Sequence, residues 1–458
     1  MPGAGPDTGG SPGPITGLGP SPFQTGSPRV GRRYRRRPGH RARRRTFARR
    51  RATFVLGAAA LVTAVVQLSR PVPIPTASVA SDTGGAGPAT LPLTTVAPAV
   101  VAGAVPVLPW PAVGQAAVAV PATGLALRPG VQAPVPIASL TKIMTAYLVL
   151  LHHPLAADAQ GPTVVMSAAD QADSALDLRR DATTVPVDAG EHLTERQLLD
   201  GVMVHSANDL ADALARWDAG SVQAFVTQMN AAARRLGMAS THFADASGFD
   251  ARSVSTASDL LVLTSAAMKL PAFASVVGQR AVTLPAAGLL ANYVQVVGTD
   301  GVVGVKSGFT QAAQGCVVLA VQRTVGLRQV MVLVAVTGQP GWDPLAAADA
   351  TGLALVDAVA GRLSEQRVVT AGSSLVAVRV PWAGDRGMPT SATRSASLVV
   401  WPGDTVEARF VARRPATVLP GTVVGDLRVS DRVQQATVPV RSVLRVTGPS
   451  LWWHIVHG

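Results

Sequence analysis

The sequence predicts an α+β protein, an antiparallel sheet carrying a helical subdomain, followed by a small all-β domain. Three observations predict it. Strand-like runs at 115–120 and 125–127 come first, helical patterns fill 194–268, and strand-like runs return at 302–305, 316–322 and 329–336 before a final helix at 344–363. Beyond 366 the apolar runs are short (374–380, 398–401, 406–411, 438–446) and are broken by Gly, Pro and Asp, the pattern of a small sandwich over 366–448. At 458 residues and 48% apolar, the chain has room for two or three packed domains.

The N-terminal part has a different character. Residues 1–28 are rich in Gly, Pro and Ser, and 1–52 hold thirteen arginines against one acid, Asp7, so +12 of the formal net charge of +13 lies there. This disordered basic segment runs into 53–69, TFVLGAAALVTAVVQLS, which has no formal charge and is near the short limit of a membrane-spanning helix. Arginine on its N-terminal flank predicts a single-pass anchor with the N-terminus cytoplasmic and the rest of the chain outside. Beside an anionic leaflet the arginines have a partner, so no nucleic acid is expected. A cleaved signal peptide is the variant, with Ser78-Val79-Ala80 as the small-residue site. Residues 70–107, rich in Pro, Ala, Thr and Val, read as an extended linker.

The largest domain is expected over 108–363. It opens with a hairpin turning at Pro121-Ala122-Thr123-Gly124, then Ile137 to Leu151, apolar nearly all round, reads as a buried helix. Helical patterns follow at 196–204, 209–217, 222–236 (ending at Gly237) and 258–268. Cys316 is the only cysteine, so no intrachain disulfide forms, and its apolar surroundings predict a buried, inert strand position. The tail 449–458 pairs Trp452 with Trp453 and suits either a membrane interface or packing on the sandwich.

Three of the forty basic residues are lysines, Lys142, Lys269 and Lys306. A buried amine can lose its proton near neutral pH, which a guanidinium cannot. Lys142 stands one helical turn after Ser139, so the two side chains share a face and the amine can act as base for the hydroxyl. Ser206-Ala207-Asn208 follows in the turn between two helices, where Ser206 is equally suited to cap the second helix. Lys306-Ser307-Gly308-Phe309-Thr310 ends a strand, offering a cation, two hydroxyls and a glycine that lets a substrate backbone approach.

The order Ser-x-x-Lys, Ser-x-Asn, Lys-Ser-Gly, with a helical block between first and third, resembles the serine D-alanyl-D-alanine carboxypeptidases, the low-molecular-mass penicillin-binding proteins. The resemblance extends to the surroundings: residues 136–146 look like that family's nucleophile segment, 198–209 like its second motif, and Thr241-His242-Phe243, Ser247-Gly248-Phe249 and 255–260 like its helical-region signatures. It covers about 108–362, with 366–448 a less specific match to the family's C-terminal domain. It implies a penicillin-binding, β-lactamase-like transpeptidase fold and a peptidoglycan stem peptide as substrate, with no cofactor and no metal. Ser139 would attack the carbonyl of the penultimate D-Ala and Lys142 would accept its proton. Ser206 would relay a proton to the departing amine and Asn208 would hold the peptide amide. The N–H groups of Ser139 and Phe309 would stabilise the oxyanion, and Lys306, Ser307 and Thr310, with Gly308 between them, would meet the terminal carboxylate. Penicillins and other β-lactams would acylate Ser139.

Three departures stand out: Ser307 where the family usually has Thr, Ala207 where Gly is frequent, and no arginine in Gly341-Trp342-Asp343-Pro344 ahead of the closing helix. A β-lactamase is the first alternative, but Glu191 and Glu195, the only glutamates between Lys142 and Lys306, precede the second motif, whereas a deacylating glutamate usually follows it. A catalytically weak or idle wall-binding member of the fold is the second. The eight histidines show no metal-ligand spacing.

Overall fold

Strand runs that are apolar at every position, such as Cys316 to Val321, need partners on both faces, and the computed structural model supplies them. It describes residues 76–79, 99–374, 376–379, 388–413, 418–447, 450, 452, 453 and 456. Numbering the strands of the two main sheets and the α-helices in chain order, the first sheet consists of β1 (Gln115–Val120), β2 (Leu125–Leu127), β3 (Val302–Thr310), β4 (Gln314–Val325) and β5 (Arg328–Gln339). Its order is β3-β4-β5-β1-β2, with every pairing antiparallel. Alternate residues of β4 serve two cores: Cys316, Val318 and Ala320 face the helical subdomain, while Val317, Leu319 and Val321 pack with α8 (Pro344–Ala360).

The helical subdomain comprises α1 (Lys142–His152), α2 (Ala168–Arg179), α3 (Glu195–Met203), α4 (Asn208–Ala219), α5 (Val222–Leu236), α6 (Ala257–Ala267) and α7 (Pro271–Val277). The nucleophile segment differs from the continuous helix expected. Ala138–Thr141 forms a 3₁₀ turn, and α1 starts only at Lys142. In a 3₁₀ turn residues i and i+3 eclipse, which brings Ser139 and Lys142 into closer line than an α-helix would. Helices α2 and α7 have no counterpart among the expected elements. The first is weakly amphipathic, though its start signal is legible as a capping box between Ser167 and Asp170. The second is short and begins with Pro271 at its first position.

The expected all-β domain is a sandwich. β6 (Ser364–Val369) pairs with β9 (Ala396–Val400) as one layer. The other holds β7 (Val376–Arg379), β8 (Met388–Ala392), β10 (Thr405–Ala412), β11 (Val423–Ser430) and β12 (Gln435–Ser442). The linker reading of 70–107 needs correction here. Thr76–Val79 pairs with β7 and Ala99–Val100 with β10, so this stretch supplies both outer strands of the larger layer. Its β-branched residues give it the ladder propensity that its proline content obscures. Residues 1–52, the anchor expected at 53–69 and most of the 449–458 tail lie outside the described residues. Among the described residues no single helix is long and apolar enough to cross a membrane.

Candidate active site

Ser139 sits at the start of a segment under local strain. Ala138 before it has φ +47°, and the 3₁₀ turn behind it fixes the direction of its hydroxyl. Lys142, completely buried, places its Nζ 2.9 Å from Ser139 Oγ, 2.6 Å from Asn208 Oδ1 and 2.9 Å from the Ser247 carbonyl. Burial pushes the Lys142 amine down from 10.5 to about 8, opposed by the charges of Asp245, Asp212, Asp209 and Asp177. As a neutral amine it can donate to Asn208 and Ser247 and turn its lone pair to the Ser139 hydroxyl, which is the geometry of a general base.

The second motif lies where α3 ends and α4 begins. Ser206 adopts φ +65°, and Ala207, not Ser206, occupies the N-cap of α4 with no side-chain cap. The capping reading of Ser206 therefore does not hold, and its nearly buried side chain sits on a backbone with positive φ. Asn208 opens α4, its N–H donating to the Thr183 carbonyl at 2.8 Å while its carboxamide oxygen receives Lys142.

The third motif is the last half of β3. Gly308 lies so close to the nucleophile that a Cβ there would come within 2.7 Å of the Ser139 nitrogen and 3.1 Å of the Ala138 Cβ. Lys306 is completely buried and donates to the Ser307 carbonyl at 3.0 Å. Burial, with the nearby charge of Lys142, pushes it well below its ordinary value. The buried Ser307 hydroxyl has no hydrogen-bond partner among the described residues, and Thr310 Oγ1 accepts from the Ala313 N–H at 3.1 Å, leaving its own proton to donate. An amine and an unused hydroxyl on neighbouring residues have the chemistry to receive a carboxylate. Phe309 is partly exposed at this edge, and the loop before α8 carries the fully exposed Trp342 and no arginine.

All three motifs therefore converge, through Lys142 to Asn208 and through Gly308 to Ser139. Cys316 is buried on β4, its thiol pushed up to about 12 by burial, as its setting predicts. Among the described residues no group of His, Cys, Asp and Glu is arranged to hold a metal. The sequence reading assigns no role to the Ser247 carbonyl, because a backbone acceptor leaves no mark in side-chain identity. The signal that could have found it is Gly248, whose φ of +82° and close approach to the Ala138 carbonyl permit no side chain.

The model of the D-alanyl-D-alanine carboxypeptidase family, peptidase S11, matches residues 125–337. A D-alanyl-D-alanine carboxypeptidase of a Streptomyces species is 33% identical over 208 residues, 40% of this chain and 67% of that protein. The chain belongs to the D-alanyl-D-alanine carboxypeptidase family. A second member, D-alanyl-D-alanine carboxypeptidase DacB2 of Mycobacterium tuberculosis, is 35% identical over 191 residues, 39% of this chain and 65% of that protein. The chain thus spans about two thirds of the length of these two relatives. Penicillin binding protein 5 of Haemophilus influenzae shares the fold, with TM-score 0.54 and 21% identity across 75% of this chain and all of that one. Both segments in which the family resemblance is densest, 136–146 and 198–209, fall inside the matched span.

Proposed function

We propose that the protein is a serine D-alanyl-D-alanine carboxypeptidase acting on peptidoglycan stem peptides. The observation that carries this reading is the Lys142 amine, buried and lowered to about 8, within 2.9 Å of the Ser139 hydroxyl. Lys142 takes the hydroxyl proton as Ser139 Oγ bonds to the carbonyl carbon of the penultimate D-Ala. The C–N bond to the terminal D-Ala then breaks, and that amine leaves with a proton relayed through Ser206. Water hydrolyses the resulting ester and restores Ser139. Asn208 serves twice, orienting Lys142 and holding the peptide amide, while Lys306, Ser307 and Thr310 receive the terminal carboxylate. Arrival of that carboxylate supplies a counter-charge to buried Lys306, so substrate binding favours its protonated form.

The N-terminal features complete the proposal: 53–69 anchors the chain once in the membrane, the Arg-rich 1–52 stays cytoplasmic, and the catalytic domain works outside. The composition of those two segments supports it.

The test is to incubate the protein with a stem pentapeptide and, separately, with a fluorescent penicillin. Loss of one D-Ala by mass, with a label on Ser139 that persists for many minutes and vanishes in Ser139→Ala, supports the carboxypeptidase. Fast release of label would make it a β-lactamase, and no labelling at all an idle member of the fold.

A further inference from the structure

The catalytic lysine is held by a carbonyl, and what holds that carbonyl lies outside the three motifs. Residues 245–250 form a turn packed under the nucleophile segment. Ala246 O accepts from Thr145 Oγ1 at 2.6 Å, Ser247 O accepts from Lys142 Nζ at 2.9 Å, and Gly248 fits against the Ala138 carbonyl with no room for a Cβ. Every one of these contacts depends on the shape of the turn. That shape is organised by one side chain, Asp245. Its Oδ1 accepts from the Gly248 N–H at 3.0 Å and the Ser253 hydroxyl at 2.6 Å, and its Oδ2 from the Asp250 N–H at 3.0 Å and the Ser247 hydroxyl at 3.0 Å.

We propose that Asp245 is a positioning residue for the Ser139–Lys142 pair, its carboxylate fixing the 245–250 turn so that the Ser247 carbonyl meets the amine. Only a carboxylate satisfies this turn. Each oxygen takes one backbone N–H as well as one hydroxyl, and a backbone N–H cannot reverse its role. An asparagine would aim its NH₂ at one of the two N–H groups, and a buried donor would lose its acceptor. The same carboxylate also acts through its field on Lys142, leading the four carboxylates that oppose the effect of burial. The other three act on the amine from elsewhere, Asp209 and Asp212 on α4 and Asp177 on α2, while Lys306 on β3 is the second buried amine, near enough for the two to oppose each other's charge. Asp245 differs from them in being hydrogen-bonded to the very loop that touches Lys142, so geometry and charge change together when it is altered.

This inference rests on the serine-hydrolase reading of the site but not on the identity of the peptide, and penicillin acylation suffices to test it. The second-order acylation rate of the full chain is followed from pH 6 to 10. In the wild type it should rise through an acid limb to a plateau. Asp245→Asn should lower the plateau about tenfold or more and move the acid limb to lower pH, because removing a negative charge makes Lys142 give up its proton more readily. A lowered plateau with the limb unmoved would show a merely structural role and overturn the proposal, as would a wild-type profile. Asp245→Glu keeps the charge and displaces the oxygens by about one bond length, ~1.5 Å, so its plateau should fall with the limb held in place. A wild-type plateau in Asp245→Glu overturns the positioning role even if the Asn variant does not fold. Failure of the wild type to take the label at all is a separate outcome that removes the serine-hydrolase reading underneath.

Discussion

Lys142 has three acceptors within 2.9 Å and, when charged, three protons to give them. The ammonium form is therefore saturated and inert, and reaction begins only when one proton leaves. With the amine lowered to about 8, the neutral fraction at pH 7 is roughly one in ten. Two consequences can be measured. The acylation rate should climb as pH rises through about 8, since deprotonation creates the base. Lys142→Arg keeps a charge that cannot be lost, and acylation should drop by about 10²–10⁴. A Lys142→Arg protein within tenfold of the wild type, assayed with fluorescent penicillin, would take the general-base role away from this amine.

At the scale of elements, the site is a strand edge pressed onto a 3₁₀ turn, and Gly308 is where they meet. Gly308→Ala would put a methyl 2.7 Å from the Ser139 nitrogen, beside the Leu140 nitrogen and the short Ala138 side chain, none of which can swing aside. The expected outcome is a strand displaced by tenths of an ångström, an acylation rate lower by about 10²-fold, and a folded protein whose thermal midpoint drops by a few degrees. A variant that is unfolded, or as active as wild type, would contradict this. The same level explains what was legible beforehand. Helix α5, whose 222–236 span and Gly237 stop coincide with expectation, has both a strong apolar stripe and a left-handed glycine to end it. The hairpin of β1 and β2 also falls at its expected limits, because Thr123-Gly124 marks the turn. Strand β3 runs to Thr310, beyond the expected 305, since the Lys306-Ser307-Gly308 motif is polar yet buried by its neighbours rather than by its own composition. The outer strands at 76–79 and 99–100 were hidden for another reason: their β-branched residues are masked by surrounding prolines, and the ladder position depends on a partner some 300 residues away.

For the whole molecule, the second domain is tied to the first by shared packing. Val399 and Trp401 of the sandwich lie in the same apolar core as Leu355, Val356 and Val359 of α8, and Arg328 at the start of β5 reaches both Glu365 and the Ser397 carbonyl. With its domains joined in this way, buried charge anywhere bears on the stability of both. Glu195 and Asp349 are such charges: both are almost completely buried, neither Glu195 oxygen nor Asp349 Oδ1 has a partner among the described residues, and burial raises each to about 7, helped by Asp218 and Asp343 respectively. Because these acids hold their protons more tightly folded than unfolded, the unfolded chain ionises first as pH rises. Their contribution to stability is unperturbed below about 4 and falls progressively until pH passes about 7, where the penalty is complete. Replacing them with neutral isosteres, Glu195→Gln and Asp349→Asn together, should raise the melting temperature distinctly less at pH 5, where the penalty is only partly developed, than at pH 8. At pH 8 it should rise by roughly 2–4 °C for each kcal/mol relieved. Thermal melts of both proteins at the two pH values decide it, since a gain of equal size at pH 5 and pH 8 would mean that ionisation of these two carboxyls is not what the substitutions relieve.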